Sequence, residues 1–153
     1  MSLSIKNLSY VIDESVVADF EKRHSINIPN PYRQFLTDFN VAYVMPCRFF
    51  QKHVSQIELN DEPDEILDIF RGFASDKDEE WCLDWYMDIY TYSDRISKFF
   101  LPIAAAAGGN VICIGIASNN YGKVFFWDHE DAYNGEALLC LSDDFNSFLN
   151  SLV

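Results

Sequence analysis

Along the first third of the chain, apolar residues recur at the spacing of one helix face. Val16, Val17 and Phe20 form a stripe behind the polar start signals at 13–15, which predicts a first helix. After the IxIP run at 26–29, Asn30 caps a second helix with Pro31 at its first position, where a missing N–H costs nothing. Tyr32, Phe35, Leu36 and Phe39 follow at i, i+3, i+4, i+7. The stretch 44–59 suits one or two short strands anchored by Phe49 and Phe50. A third helix is predicted to start near Asn60 or Asp61, with Pro63 in its first turn and a stripe of Ile66, Ile69, Phe70 and Phe73. The run DKDEEWCLDWYMDIYTYSD at 76–94 follows as a fourth helix with an irregular apolar face.

The second half changes character. Runs at 99–103, 111–116, 123–128 and 137–141 are rich in β-formers, and loops containing Gly or Asn separate them. Loops of that length suit antiparallel neighbours rather than βαβ crossovers. Ser142 is placed to cap a terminal helix with Asp143 and Asp144 in its first turn and Phe145, Phe148, Leu149 and Leu152 on its buried face. The expectation is one α+β domain over 1–153: N-terminal helices, an antiparallel sheet in the second half, and a C-terminal helix packed on it.

Charge adds a second pattern. The chain of 153 residues has a net charge of −13, and 13 of its acidic residues lie between Glu58 and Asp94 with only Arg71 and Lys77 to offset them. The rest is close to neutral, with 11 acids and 9 bases. Such a chain lacks the basic footprint that phosphate backbones or anionic lipids require, so nucleic acid and membrane partners are not expected. No apolar run approaches the roughly 18 residues of a spanning helix, and the start lacks the signature of a signal peptide, so a cytoplasmic location is expected. Cys47, Cys82, Cys113 and Cys140 form no CxxC pair and are expected to be small buried hydrophobes rather than a disulfide or zinc framework.

Candidate chemistry is sparse. Gly108, Gly109 and Asn110 could expose N–H groups to an anion, but no GK[ST] or GxGxxG surrounds them, and a tight turn at positive φ is the simpler account. Asp128, His129 and Glu130 could begin a metal or acid/base site, although a turn whose side chains cap backbone N–H groups needs no ligand. No GxSxG elbow or catalytic Cys context is present, so the protein is expected not to be an enzyme and to carry no catalytic residue, metal or cofactor. The acidic segment says most. If 79–92 is helical, Glu80, Asp84 and Asp88 stack at i, i+4, i+8 beside Trp81, Trp85 and Ile89. Either these aromatics and carboxylates greet a partner with a basic face, or the tryptophans point into the core below a solvated acidic surface.

The succession ADFEKRHSINIPNPYRQFLTDFN, FFLPIAAAAGGNVICIGI, GKVFFWDHED and a late SFL resembles the SUKH superfamily, of the yeast cell-wall assembly regulator (Smi/Knr) type, over essentially the whole chain. Three departures stand out. Asn40, Val41, Ala42 and Tyr43 replace the usual glycine pair after the second helix. Ala105, Ala106 and Ala107 stand where members often have an acid, and 76–95 is longer and more aromatic.

The resemblance implies a curved sheet packed by helices, and binding rather than catalysis. Its recurring positions here, Pro29, Tyr32, Leu36, Leu101, Pro102, Gly109, Asn110, Trp127, Asp128 and Glu130, are implied to maintain the fold. Bacterial members are similar to immunity proteins that neutralise polymorphic or contact-dependent toxins, often nucleases or deaminases. The leading expectation is therefore an immunity protein, monomer or homodimer, that occludes a basic cognate toxin through Asp76, Asp78, Glu79, Glu80, Trp81, Asp84, Trp85 and Asp88. The alternatives are a regulatory adaptor for an endogenous protein, and a small-ligand or metal module built on Gly108 to Asn110 and Asp128 to Glu130.

Overall fold

The structure, a computed structural model, describes residues 2–74, 79–131 and 138–153. In chain order the elements are β1 (Ser4–Asn7), α1 (Glu14–His24), α2 (Asn30–Phe39), β2 (Ala42–Met45), β3 (Arg48–Phe49), β4 (Glu65–Phe70), α3 (Leu83–Tyr86), β5 (Phe100–Ala106), β6 (Val111–Gly115), β7 (Val124–Trp127), β8 (Leu138–Ser142) and α4 (Phe145–Asn150). Single 3₁₀ turns occupy Val54–Gln56 and Ala107–Gly109, and a π-helical turn, Met87–Thr91, extends α3. The eight strands form one open antiparallel sheet in the order β1-β2-β4-β5-β6-β7-β8, with β3 also paired to β4. The α+β class and the terminal helix are as the sequence predicts. The sheet, however, is not confined to the second half: β1 to β4 supply nearly half of it.

The largest departure is the predicted third helix, which is strand β4. The helical spacing there has a different origin. A bulge separates Leu67, opposite Ala106, from Phe70, opposite Ala104, so one extra residue lies between two side chains on the same face. Burial at a spacing of three then imitates a helix turn, while β-branched Ile66 and Ile69 favour the strand.

Helices α1, α2 and α4 cover one face of the sheet. Phe35 lies at the centre of that layer, with ring centroids 4.9 Å from Phe70 and 5.3 Å from Phe145. Phe20, Leu36, Leu101, Phe126 and Phe148 complete it, all essentially removed from water. Asp13 caps α1 by accepting from the Ser15 N–H at 2.9 Å. Two predicted caps are displaced. Pro29 occupies the cap position of α2, so Asn30 is its first residue. Asp144 caps α4 by accepting from the Ser147 N–H at 2.7 Å, while Ser142 ends β8 and donates to the Asp144 carbonyl at 2.8 Å.

The opposite face is also covered. All five residues of β6 are buried, and they alternate between two clusters: Ile112 and Ile114 join the helices, whereas Val111 and Cys113 join Tyr86, Ile96 and Trp127. The segment around α3 is therefore the second layer over β5 to β8.

Asn40 ties these parts together. It has φ 58° and ψ −122°, a positive-φ conformation that residues other than glycine seldom adopt. Fully buried, its amide donates to the Tyr10 and Phe73 carbonyls at 3.0 and 2.9 Å and accepts from the Phe73 N–H at 2.7 Å. Asn40→Ala should lower unfolding free energy by about 2–3 kcal/mol in urea, because it orphans several buried backbone groups at once. A loss below about 1 kcal/mol would mean that water replaces the amide.

Candidate functional site

The segment from Glu79 onward does not form the long helix predicted within 76–94. Gly72 pairs with Cys82 as an isolated bridge: its N–H donates to the Trp81 carbonyl at 3.1 Å, and its carbonyl accepts from the Leu83 N–H at 2.8 Å. Backbone groups engaged this way hold 81–82 extended, so the helix begins only at Leu83. Glu80 consequently lies outside it, and the predicted stack of Glu80, Asp84 and Asp88 does not form.

Asp84 is not a surface acid. It is 7% exposed and faces α1, where Arg23 makes a bidentate ion pair and His24 Nε2 lies 2.8 Å from Oδ1. His24 Nδ1 in turn meets the Tyr92 hydroxyl at 2.6 Å, and Arg23 Nε donates to Asp19 at 2.8 Å. Burial alone would raise the Asp84 carboxyl, but hydrogen bonds from His24 and Arg23 outweigh it and hold the group well below the usual carboxylate range. The same pairing with Asp84 raises the Arg23 guanidinium, against the effect of its own desolvation. The carboxylate thus anchors the acidic segment to the first helix.

The aromatics of the segment are its floor. Tyr86 packs edge-on to Tyr90 at 5.2 Å, and Tyr90 to Trp127 at 5.5 Å, with half-buried Trp85 beside Tyr86 at 5.9 Å. Arg71 lies over the Tyr86 ring at 4.5 Å and Arg95 over Tyr90 at 4.9 Å, so two of the few local cations are stacked on this layer. Burial raises the Tyr86 hydroxyl to about 12.

With Asp84 and the inner aromatics occupied, an outward set remains. Glu80, Asp88 and Trp81 are exposed, Trp81 to 42%, and Glu79 is half-buried. Trp81 and Glu79 line a cavity of about 220 Å³ together with Leu8, Tyr10, Val41 and Ile69. Leu8, Tyr10 and Val11 are themselves exposed, making an apolar rim beside the acids. Asp76 and Asp78 lie outside the described residues. The N-terminal contribution escaped sequence reasoning; its one signal was the run LSYVI, which precedes α1 without belonging to any helix face.

The remaining candidates lie in turns and in the core. Gly108 and Gly109 have φ 77° and 88°, as their turn requires. Asn110 bonds not to its own backbone but across to the next hairpin: its Oδ1 accepts from the His129 N–H at 3.1 Å and lies 2.7 Å from His129 Nδ1. Asp128 accepts from the Glu130 N–H at 2.9 Å, closing the turn after β7, and Glu130 itself is exposed. Tyr32 donates to the Arg71 carbonyl at 2.8 Å, while Pro29, Leu36, Leu101, Pro102 and Trp127 are buried.

The chain matches the SMI1 / KNR4 family (SUKH-1) over residues 12–151. It belongs to that family. The chain is also similar to the SPbeta prophage-derived uncharacterized protein YokK of Bacillus subtilis (strain 168). The two are 31% identical over 140 residues, which span 82% of this chain and 67% of the relative. Among the described residues no helix is long and apolar enough to cross a membrane.

Proposed function

We propose that this SUKH-1 protein is an immunity protein that binds a basic cognate toxin in the cytoplasm and occludes its working surface. The observation that carries this reading is the division of labour within one acidic segment. Asp84, Tyr86 and Tyr90 fasten it to α1 and the sheet, and Glu79, Glu80, Trp81 and Asp88 remain outward on that fixed base. Anchors held rigidly lose little entropy on binding, and concentrated negative charge steers a basic partner, by about 10- to 10³-fold in association rate at low salt. A nuclease must be basic to hold its substrate, so an acidic inhibitor competes for the same surface. The protein acts by binding and consumes no substrate.

The test is co-expression with the product of the adjacent upstream gene. That product should arrest growth alone and be tolerated when this chain is present. A harmless product, or one that stays toxic in the presence of this chain, overturns the proposal.

A further inference from the structure

On the edge of the sheet at β8, side chains from two distant parts of the chain converge. His53 immediately precedes the 3₁₀ turn Val54–Gln56, Cys140 lies on edge strand β8, and Asp143 sits between β8 and α4. One ligand atom from each, an imidazole nitrogen, a thiol sulfur and a carboxylate oxygen, all fall within 4.8 Å of one another. His53 Nε2 and Asp143 Oδ1 are 3.2 Å apart. We propose that His53, Cys140 and Asp143 form a site for one Zn²⁺ ion.

Four observations support the assignment. A nitrogen, a sulfur and an oxygen donor are the three types zinc accepts, and three protein ligands leave a fourth position for water. The thiolate excludes Mg²⁺ and Ca²⁺ as the natural occupants, because both demand oxygen ligands. Tetrahedral zinc needs donors about 3.3–3.7 Å apart, which small side-chain rotations provide from the observed spacing. The second shell is also in place: His53 Nδ1 lies 2.7 Å from the Ser55 hydroxyl, which accepts from the ring when Nδ1 carries the proton and Nε2 turns its lone pair to the metal. That tautomer gives up the Ser55 N–H bond to Nδ1 at 3.1 Å, but the turn is exposed and water replaces it.

The neighbouring acid, Asp144, is committed to the α4 cap, so Asp143 is the carboxylate available for the ion. Burial raises the Cys140 thiol, and Asp143 acts in the same direction, while Lys123 favours the thiolate. Binding therefore requires the Cys140 S–H proton to leave for solvent as the S–Zn bond forms, with no change of oxidation state. The half-buried Cys140 and exposed Asp143 leave the ion a path from water. Sequence gives little hint of this set, since His53 lies 90 positions before Asp143.

Chelator-treated full-length protein, kept reduced, should take up one Zn²⁺ per chain in calorimetry and release about one proton per ion. Co²⁺ should produce a thiolate-to-metal band in the near ultraviolet. Cys140→Ser should abolish that band and weaken Zn²⁺ by roughly tenfold or more, and His53→Ala and Asp143→Asn should each weaken it as well. Cys47→Ser should behave as wild type. Absence of saturable Zn²⁺ binding overturns the proposal, as does wild-type affinity in Cys140→Ser. If His53→Ala fails to fold, the isosteric Cys140→Ser and the exposed Asp143→Asn decide the question.

Discussion

Asp84→Ala is expected to destabilise the protein by about 3 kcal/mol at neutral pH. Removing the carboxylate leaves His24 without its partner in a nearly buried position and strips Arg23 of its bidentate ion pair. Fully buried pairs lose about 3–5 kcal/mol on such truncation. The Arg23 side chain is about one third exposed, so water rescues part of its charge and the lower figure applies. The pH dependence separates this pair from packing. The native Asp84 carboxyl is depressed, so its contribution is complete above the unfolded carboxyl value of about 4 and falls away as pH drops below it towards the native value. Urea unfolding at pH 7 and at pH 3 should show a steeper loss in wild type than in Asp84→Asn, which has no proton to take up. Parallel losses would show that the cluster contributes no charge-dependent stability.

The same cluster marks how far sequence reasoning reaches. Where burial follows uninterrupted periodicity, as at Tyr32, Phe35 and Leu36 or at Phe145, Phe148 and Leu149, the pattern alone places each residue on the inner face. Where a bulge inserts a residue, as between Leu67 and Phe70, the apparent period changes and a strand passes for a helix. Local pattern also cannot tell which of several carboxylates is internal. Asp84, Asp88 and Glu80 look alike in sequence, yet only Asp84 meets Arg23 and His24, and those partners come from a helix some 60 positions earlier. The choice between aromatics as core and aromatics as contact surface resolves residue by residue. Tyr86 and Tyr90 pack on Trp127, Trp85 is intermediate, and Trp81 faces outward beside the Leu8 and Tyr10 rim. Only residues brought from the far end of the chain make that distinction, so it was legible as a pair of alternatives and no further.

Trp81→Ala is the substitution expected to cost the proposed complex most, by about 2 kcal/mol or more, equivalent to a roughly 30-fold higher Kd for the adjacent-gene toxin. An indole that is already part exposed, rimmed by apolar side chains and flanked by Glu79 and Glu80, has the makings of a central anchor. Its loss should act on dissociation, because packing against the partner holds the complex once formed. Charge reversal has a different signature. Glu80→Lys combined with Asp88→Lys should slow association by roughly tenfold at low salt, and the deficit should shrink above about 0.3 M as screening shortens the reach of the field. Both variants should retain near-native urea midpoints, since Glu80 and Asp88 are exposed and Trp81 contributes only one wall of an open cavity. Asp84→Ala, by contrast, should lose protection only in proportion to its loss of folded protein. Surface plasmon resonance with the purified toxin, paired with unfolding curves of the same samples, separates these outcomes. If Trp81→Ala binds like wild type while remaining folded, the Trp81 cavity and its acidic rim are not where the toxin is held.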